Sequence, residues 1–342
     1  MNNDLLIIEL YRSLMENIAF SDYLSQRGYK VKIFSFFKQE KKRFINKKSY
    51  MLREAACFIK LLFNIFKFRN KKVYCLGGFY AILFMYKMFG LFLGENFRLY
   101  IFNFYIHRTG EKKIVKRILR FLLKNKRCIL IVQSPGEVDY YQSLTSIPVH
   151  FVPYCANLIK IKPGGSIVLP EMEYVFTGGY TNRDYLGVLQ CAARMPDTKF
   201  VLAVSLLNMD FKSLETPSNI IVYKDIIRDD FEYLLAKATV VLIPLMSDVG
   251  ASGQMLCLSA MQNKKAIVYS NVSVVNYYLA NDAGIPYQMG NVDSMEKGLK
   301  SLLSDEKLRE ITGCNAFKNY ENNYTVEHQN RQLFNIVDRN FN

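Results

Sequence analysis

Apolar and polar positions follow two rhythms along the second half of the chain. Short runs rich in Val, Ile and Phe at 174–177, 199–205, 220–223, 239–244 and 266–269 predict buried strands. Between them, 184–194, 230–238, 253–262, 272–279 and 294–303 carry helical spacing. Strands alternating with helices specify a parallel, doubly wound sheet. The first half repeats the theme, with strands predicted at 30–36, 73–76, 98–104 and 128–133 and helices at 12–26, 50–68, 79–93 and 111–124. The run Pro163, Gly164, Gly165, Ser166 is the best linker signal. The pattern predicts two Rossmann-like α/β domains facing across a cleft, with ligands at the carboxyl ends of the strands.

The 342 residues are 50% hydrophobic and 22% charged, a globular balance that suggests two domains. The net charge of +15 is unevenly placed. Residues 1–150 hold 27 Lys and Arg against 10 Asp and Glu, and the remainder hold 18 against 20. A basic half beside a neutral one points to an anionic partner: lipid headgroups, a polyphosphate carrier or nucleic acid. Lys-rich solubility is the plain alternative. No RRM, KH or helix-turn-helix signature supports nucleic acid.

The apolar stretch 79–93 is broken by Lys87 and Gly90 and is short of a spanning helix, so it reads as buried or interfacial. Segment 111–124 places Ile114, Ile118, Phe121 and Leu122 on one face among Lys113, Lys116, Arg117, Arg120 and Lys124. The first residues lack a basic n-region and a cleavage site, so no signal peptide is expected. Seven scattered cysteines without a CxxC pair read as mostly buried free thiols, and three dispersed histidines make a zinc site improbable.

Two segments carry candidate chemistry. In the first, Gly178 and Gly179 follow a strand and Arg183 precedes a helix, the parts a diphosphate needs: close backbone approach, a forked cation and a helix N-terminus. Asn182 could cap that helix, the structural role open to the same residues. In the second, a strand ends at Pro244, a loop with Asp248 follows, and a helix begins near Ser252, Gly253 and Gln254, with free N–H groups for a phosphate or sugar. Ser252 as an ordinary N-cap is the alternative there.

These segments, in this order, resemble the nucleotide-binding domain of GT-B glycosyltransferases of the family-4 kind, in particular a bacterial exopolysaccharide and capsule branch with GG-x3-RD and SGQ motifs. The resemblance covers roughly residues 170–342. It implies a GT-B fold with an acceptor domain at 1–160, a donor domain at 161–322 and a terminal helix, 323–342, that crosses back to the first domain. It also implies a UDP- or GDP-sugar donor, base recognition near Tyr223–Ile226, no tightly bound metal or cofactor, and transfer to a polyprenyl-diphosphate-linked or saccharide acceptor at the cytoplasmic face of the plasma membrane. One departure stands out: the family-4 pattern places two glutamates eight residues apart around the donor helix, where this chain has Ala251 and Ser259. That keeps a second expectation open, a catalytically idle GT-B-like scaffold or activator of a partner enzyme.

A general base is expected in the N-terminal half. Glu137 and then Asp139 follow the strand at 128–133, and a carboxylate there could deprotonate an acceptor hydroxyl, or could serve only the helix dipole. His107, after another strand, is the alternative base or phosphate ligand. Glu137 and Asp139 are not read as a GT-A metal motif, because the donor signals lie in the other half.

Overall fold

The computed structural model describes residues 4–11, 15–37, 47–76, 80–103, 113–124, 127–159, 161, 167–205, 216–248 and 250–339. The chain folds as two units, Met1–Pro153 with Val326–Asn342, and Tyr154–Thr325. The boundary precedes the expected linker, and Pro163–Gly164–Gly165–Ser166 lies outside the described residues.

The strands of the first unit are β1 (Asp4–Tyr11), β2 (Lys30–Phe37), β3 (Lys72–Leu76), β4 (Arg98–Phe102), β5 (Cys128–Val132) and β6 (Val149–Phe151). Its helices are α1 (Met15–Ser25), α2 (Lys47–Phe63), α3 (Tyr80–Phe89), α4 (Lys113–Leu123) and α5 (Pro135–Leu144), with 3-10 turns at Ile65–Phe68 and Gly90–Leu93. The second unit contains β7 (Tyr174–Gly178), α6 (Tyr185–Arg194), β8 (Lys199–Val204), β9 (Ile220–Lys224), α7 (Arg228–Lys237), β10 (Val240–Ile243) and α8 (Gln254–Gln262). It continues through β11 (Ala266–Ser270), α9 (Ser273–Tyr278), β12 (Ile285–Tyr287), α10 (Val292–Ser304) and α11 (Glu306–Asn323). The last helix, α12 (Val326–Arg339), belongs to the first unit.

Both sheets are six-stranded and parallel, in the orders β2-β1-β3-β4-β5-β6 and β12-β11-β10-β7-β8-β9. The central strands are buried along their whole length, as all five positions of β5, β7 and β11 show. Helices on both faces demand such continuous apolar runs. The second sheet grows from β7 outward through β8 and β9, then restarts on the other side of β7 with β10. Strand order therefore reverses between β7 and β10, and the loops that leave those strands open the crevice where such sheets take ligands.

In the first unit α12 is tied to the sheet. Leu333 and Val337 share a core with Phe20, Leu24 and Tyr100. Tyr100 Oη and Lys72 Nζ both donate to the Val337 carbonyl, at 3.2 and 3.3 Å, and Tyr29 Oη donates to Asp338 at 2.7 Å. Six of the seven thiols are buried and Cys314 is exposed, all of them free.

Helix α4 corrects one expectation. Leu122 does not share the outer face with Ile114, Ile118 and Phe121; it turns into the core with Leu119 and Leu123. Likewise α3 and the turn after it bury Ile82, Leu83, Met85 and Tyr86 while Phe84, Met88, Leu91 and Phe92 face outward.

Candidate functional site

The loop from β7 to α6 and the loop from β10 to α8 meet at the reversal point of the second sheet. An antiparallel bridge joins Arg183 to Leu245, and the Asp184 N–H donates to the Pro244 carbonyl at 3.0 Å. Asn182, in the left-handed region at φ 56°, exchanges side-chain contacts with Ser247: its Nδ2 donates to the Ser247 carbonyl and the Ser247 hydroxyl donates to its Oδ1, both at 2.8 Å. The Leu245 N–H donates to Ser270 Oγ at 2.7 Å, which fixes the second loop to β11. Two loops that the sequence separates by some sixty residues thus form one stitched surface.

Gly178 and Gly179 are required by the protein itself. A Cβ on Gly178 would lie 2.5 Å from the Phe231 ring of α7, and one on Gly179, at φ +114°, would lie 2.6 Å from the Arg183 guanidinium. Arg183 is buried and folds back on its own loop, with Nε donating to Gly178 O at 2.9 Å and a terminal nitrogen donating to Thr181 O at 2.7 Å. Burial pulls its pKa below the usual arginine value, with Tyr185 opposing. The cation expected to reach out to a ligand serves here as the loop's internal frame.

The start of α6 is not open to an anion either. Asp184, rather than Asn182, is its N-cap and accepts from the Gly187 N–H at 2.9 Å. The first turn of α8 differs. Its N-cap is Gly253, not Ser252, at φ +85° and with no side-chain cap among the described residues, and the first turn of α8 carries the helix's partial positive charge. A Cβ at Gly253 would stand 3.2 Å from Ile243 and 3.3 Å from Leu245, so the helix start is pressed close to the strand end. Gln254, at the first position of α8, is only 5% exposed. Asp248 is exposed and caps α9, where its Oδ1 accepts from the Ser273 N–H and hydroxyl at 2.9 and 2.7 Å. Tyr223 stands on the edge strand β9, and its hydroxyl donates to the Val168 carbonyl at 2.5 Å.

One residue not anticipated from the sequence stands beside this surface. Glu232 of α7 is 4% exposed, and its Oε1 accepts from the Ser259 hydroxyl of α8 at 3.1 Å. Its Oε2 is buried with no hydrogen-bond partner among the described residues, and Arg228 Nε lies 3.7 Å from Oε1. Burial raises its pKa, and Ser259 and Arg228 work against that rise. No distinct signal in the sequence marks it, because α7 also carries Asp229 and Asp230 and only packing sets Glu232 against Ser259.

In the first unit, Glu137 sits at the third position of α5 in a capping box with Ser134, whose N–H donates to its Oε2 at 3.1 Å. Burial lifts its carboxyl to about 7, against the pull of the Gln133 and Ser134 backbone donors. Asp139 is exposed on the same helix, and His107 lies outside the described residues.

Residues 207–319, about a third of the chain, match the sequence family described as glycosyl transferases group 1. No curated protein sequence matches the chain. Among solved structures it is similar to sucrose-phosphate synthase from Thermosynechococcus elongatus, at 12% identity and a TM-score of 0.74 over 99% of both chains. It is also similar to Alr3699/HepE from Anabaena in complex with UDP and glucose, at 10% identity and a TM-score of 0.69 over 98% of this chain and 99% of that one. A third is WaaG, a glycosyltransferase involved in lipopolysaccharide biosynthesis, at 12% identity and a TM-score of 0.64 over 98% and 99%. With two doubly wound parallel sheets and these structural likenesses, the chain has the GT-B fold, and the group 1 match covers its second unit from β9 into α11.

Proposed function

We propose that this enzyme takes a sugar from a nucleoside-diphosphate sugar bound at the β7/β10 crevice and transfers it to a lipid-linked or saccharide acceptor in bacterial surface-polysaccharide synthesis. The observation that carries the reading is the N-terminus of α8, opened by Gly253 with no side-chain cap among the described residues and delivered to the reversal point beside the Gly179–Arg183 loop. A diphosphate there is met by backbone N–H groups and a helix dipole, which also stabilise it as leaving group, so no bound metal or other cofactor is needed. UDP is the first nucleotide to try, since the similar Alr3699/HepE structure holds UDP and glucose; GDP is the second. A thermal-shift screen over UDP- and GDP-sugars, followed by product analysis, tests it: no stabilisation by any of them would reject the donor site.

The acceptor and general base are assigned to the first unit. Glu137, with a carboxyl near 7, is matched to proton exchange at neutral pH, with Asp139 as second choice.

The outer surface of the same unit supports a peripheral membrane position. Leu91 is 98% exposed and Phe63 85%, with Phe66, Met88, Phe92 and Phe121 also outward. Packing joins these elements: the rings of Phe58 and Phe84 lie 5.4 Å apart, and Lys87 Nζ sits 4.7 Å from the Phe121 ring. Segments 55–71, 80–96 and 113–124 carry ten Lys and Arg and one acidic residue, Glu95. Large apolar side chains among cations are the makeup of a surface that lies on anionic lipid. Among the described residues no helix is long and apolar enough to cross a membrane.

The absence of carboxylates at Ala251 and Ser259 favours one other reading, an inactive GT-B-like scaffold. Donor hydrolysis or transfer by the purified chain would exclude it.

A further inference from the structure

The two edges of the first sheet carry different surfaces. Its strands are parallel, so each helix between them runs back from a carboxyl end to an amino end. The 3-10 turns after α2 and α3 and the last turns of α4 and α5 therefore gather at the amino edge. Hydrogen bonds tie them together there. The Asn70 N–H donates to Leu93 O at 2.8 Å, and an Arg127 guanidinium nitrogen donates to Gly94 O at 2.8 Å. Lys87 Nζ donates to Lys124 O at 3.4 Å, and Thr145 Oγ1 donates to Leu123 O at 3.1 Å. Among the described residues of this unit the three most exposed large apolar side chains, Leu91, Phe63 and Phe66, belong to these ends, and Met88, Phe92 and Phe121 join them. Segments 63–71, 88–98 and 120–127 hold eight Lys and Arg and one acidic residue, Glu95. The surface suited to anionic lipid is thus concentrated on the amino edge. The candidate base stands at the other edge: Ser134 and Glu137 open α5 just past β5, and such sheets take ligands outside their carboxyl ends. The ten residues of α5 set the two edges about 15 Å apart.

We propose that the first unit rests on the membrane by its amino edge, and that the acceptor is a lipid-linked oligosaccharide already several sugars long rather than the carrier phosphate or its first sugar. The proposal rests on the sugar-transfer and lipid-docking readings above and adds to them a substrate class. With the amino edge on lipid, the carboxyl edge is held above the headgroups by the thickness of the helix layer. A first sugar is separated from the lipid by a diphosphate alone, and its hydroxyls fall short of that height. Each further sugar carries the chain end closer to the crevice. In the transfer, the terminal hydroxyl gives its proton to a base and its oxygen bonds to the anomeric carbon of the donor sugar. The bond from that carbon to the nucleoside diphosphate breaks, and the diphosphate leaves with the electron pair. The reactions that supply this acceptor are therefore earlier sugar transfers onto the carrier, and this enzyme elongates their product.

The orientation is tested without any acceptor. Cys314 is the exposed thiol and the other six are buried, so Cys314→Ser allows a fluorophore to be placed at a single introduced cysteine. Leu91→Cys puts it on the amino edge, and Gly136→Cys puts it at an exposed position in the first turn of α5. On phosphatidylglycerol vesicles that carry a quencher on the lipid headgroup, the label at 91 should lose most of its fluorescence and the label at 136 should keep most of it. Equal losses at the two positions, or a larger loss at 136, would overturn the orientation and leave lipid docking intact. No loss at either would reject the lipid-facing surface itself. The acceptor class is tested with membranes of the host cell, the full-length enzyme and the radiolabelled nucleotide sugar chosen by thermal shift. Glycans are then released from the carrier by mild acid and sized. Label should enter chains longer than a disaccharide. Label on a monosaccharide or disaccharide would overturn the proposal while leaving sugar transfer standing. Donor hydrolysis with no labelled lipid-linked product would reject a lipid-linked acceptor, and the proposal with it.

Discussion

Arg183 donates from Nε to the carbonyl of Gly178 at 2.9 Å, so the forked cation of the donor loop is also the brace that shapes it. The sequence motif alone suggests that Arg183→Ala would weaken nucleotide binding and spare stability. The geometry predicts both losses. Two hydrogen bonds from a buried guanidinium disappear, which should lower stability by about 2–4 kcal/mol and the melting temperature of this unit by roughly 5–10 °C. Nucleotide affinity should fall alongside, because the loop beside α8 loses its frame. Weaker binding with an unchanged melting temperature would show instead that the guanidinium swings free to meet the phosphates.

Gln254 reverses in the same way. Being 5% exposed at the first position of α8, it has packing to lose, and Gln254→Ala should destabilise by about 1–2 kcal/mol. Gly253→Ala should cost more, since φ is +85° and its Cβ would press on Ile243 and Leu245. Urea denaturation of both variants checks the order; an equal or inverted order would mean that the loop relaxes around the new methyl group.

The second sheet was largely legible because its strands are unbroken apolar runs: the predicted 174–177, 199–205, 220–223 and 266–269 differ from β7, β8, β9 and β11 by one residue or none at each end. β12 was not, since three residues with a central Pro286 give no periodicity. Helix α11 escaped because its apolar residues are spread around its circumference rather than on one stripe. β1 was not legible because its Leu-Leu-Ile-Ile run is too short to tell a buried strand from a helix by periodicity. At the site, the sequence named both loops correctly as neighbours of strand ends, and the parallel sheet alone brings them together. It could not show that Arg183 and Asp184 turn inward, nor that Glu232 meets Ser259, because those contacts join side chains across two elements whose rotamers depend on packing.

Glu137 should separate capping from catalysis. Glu137→Gln preserves the capping box, and if the carboxylate is the base, turnover should fall by about 10²–10⁴-fold with nucleotide affinity intact. Stability carries its own signature. The native carboxyl is raised from 4.5 to about 7, so between those values the unfolded chain is ionised while the folded one holds its proton. Its stabilising contribution is full below pH 4.5 and is lost as pH rises to about 7, a loss of about 2–3 kcal/mol absent from the Gln variant. Full turnover by Glu137→Gln would leave the residue as a helix cap only.

Lys72 and Tyr29 give the first unit a second pH dependence. Lys72 Nζ donates to Tyr29 Oη at 3.0 Å, and burial lowers its pKa from 10.5 to about 8, with Asp338 opposing. Between about pH 8 and 10 the folded chain has released a proton that the unfolded chain keeps, so stability should rise with pH there. Burial and Asp338 push the Tyr29 phenol far above 10, which turns the slope downward once the unfolded tyrosine ionises. Urea midpoints from pH 7 to 11 should therefore pass through a maximum. Lys72→Met should remove the rising limb alone, and a rising limb that persists would assign it to another group.

The membrane surface yields the most direct test. If the outward apolar side chains and their cations dock on lipid, binding to vesicles should increase with phosphatidylglycerol content and fall as salt rises from low to physiological strength. Each Lys or Arg near such a surface contributes about 1 kcal/mol within a Debye length. The triple variant Lys116→Glu, Arg117→Glu, Arg120→Glu should release the protein from vesicles. Leu91→Ser with Phe92→Ser should weaken binding without steepening its salt dependence, because those residues supply insertion rather than charge. Leu91 and Phe92 are exposed, so neither substitution should disturb the core of the first unit. Nucleotide binding should survive all five changes, since the donor loops belong to the second unit. Two results would reject docking through this face: salt-insensitive vesicle binding, or binding that survives both sets of substitutions. The basic excess of the N-terminal half would then belong to an anionic acceptor or to solubility.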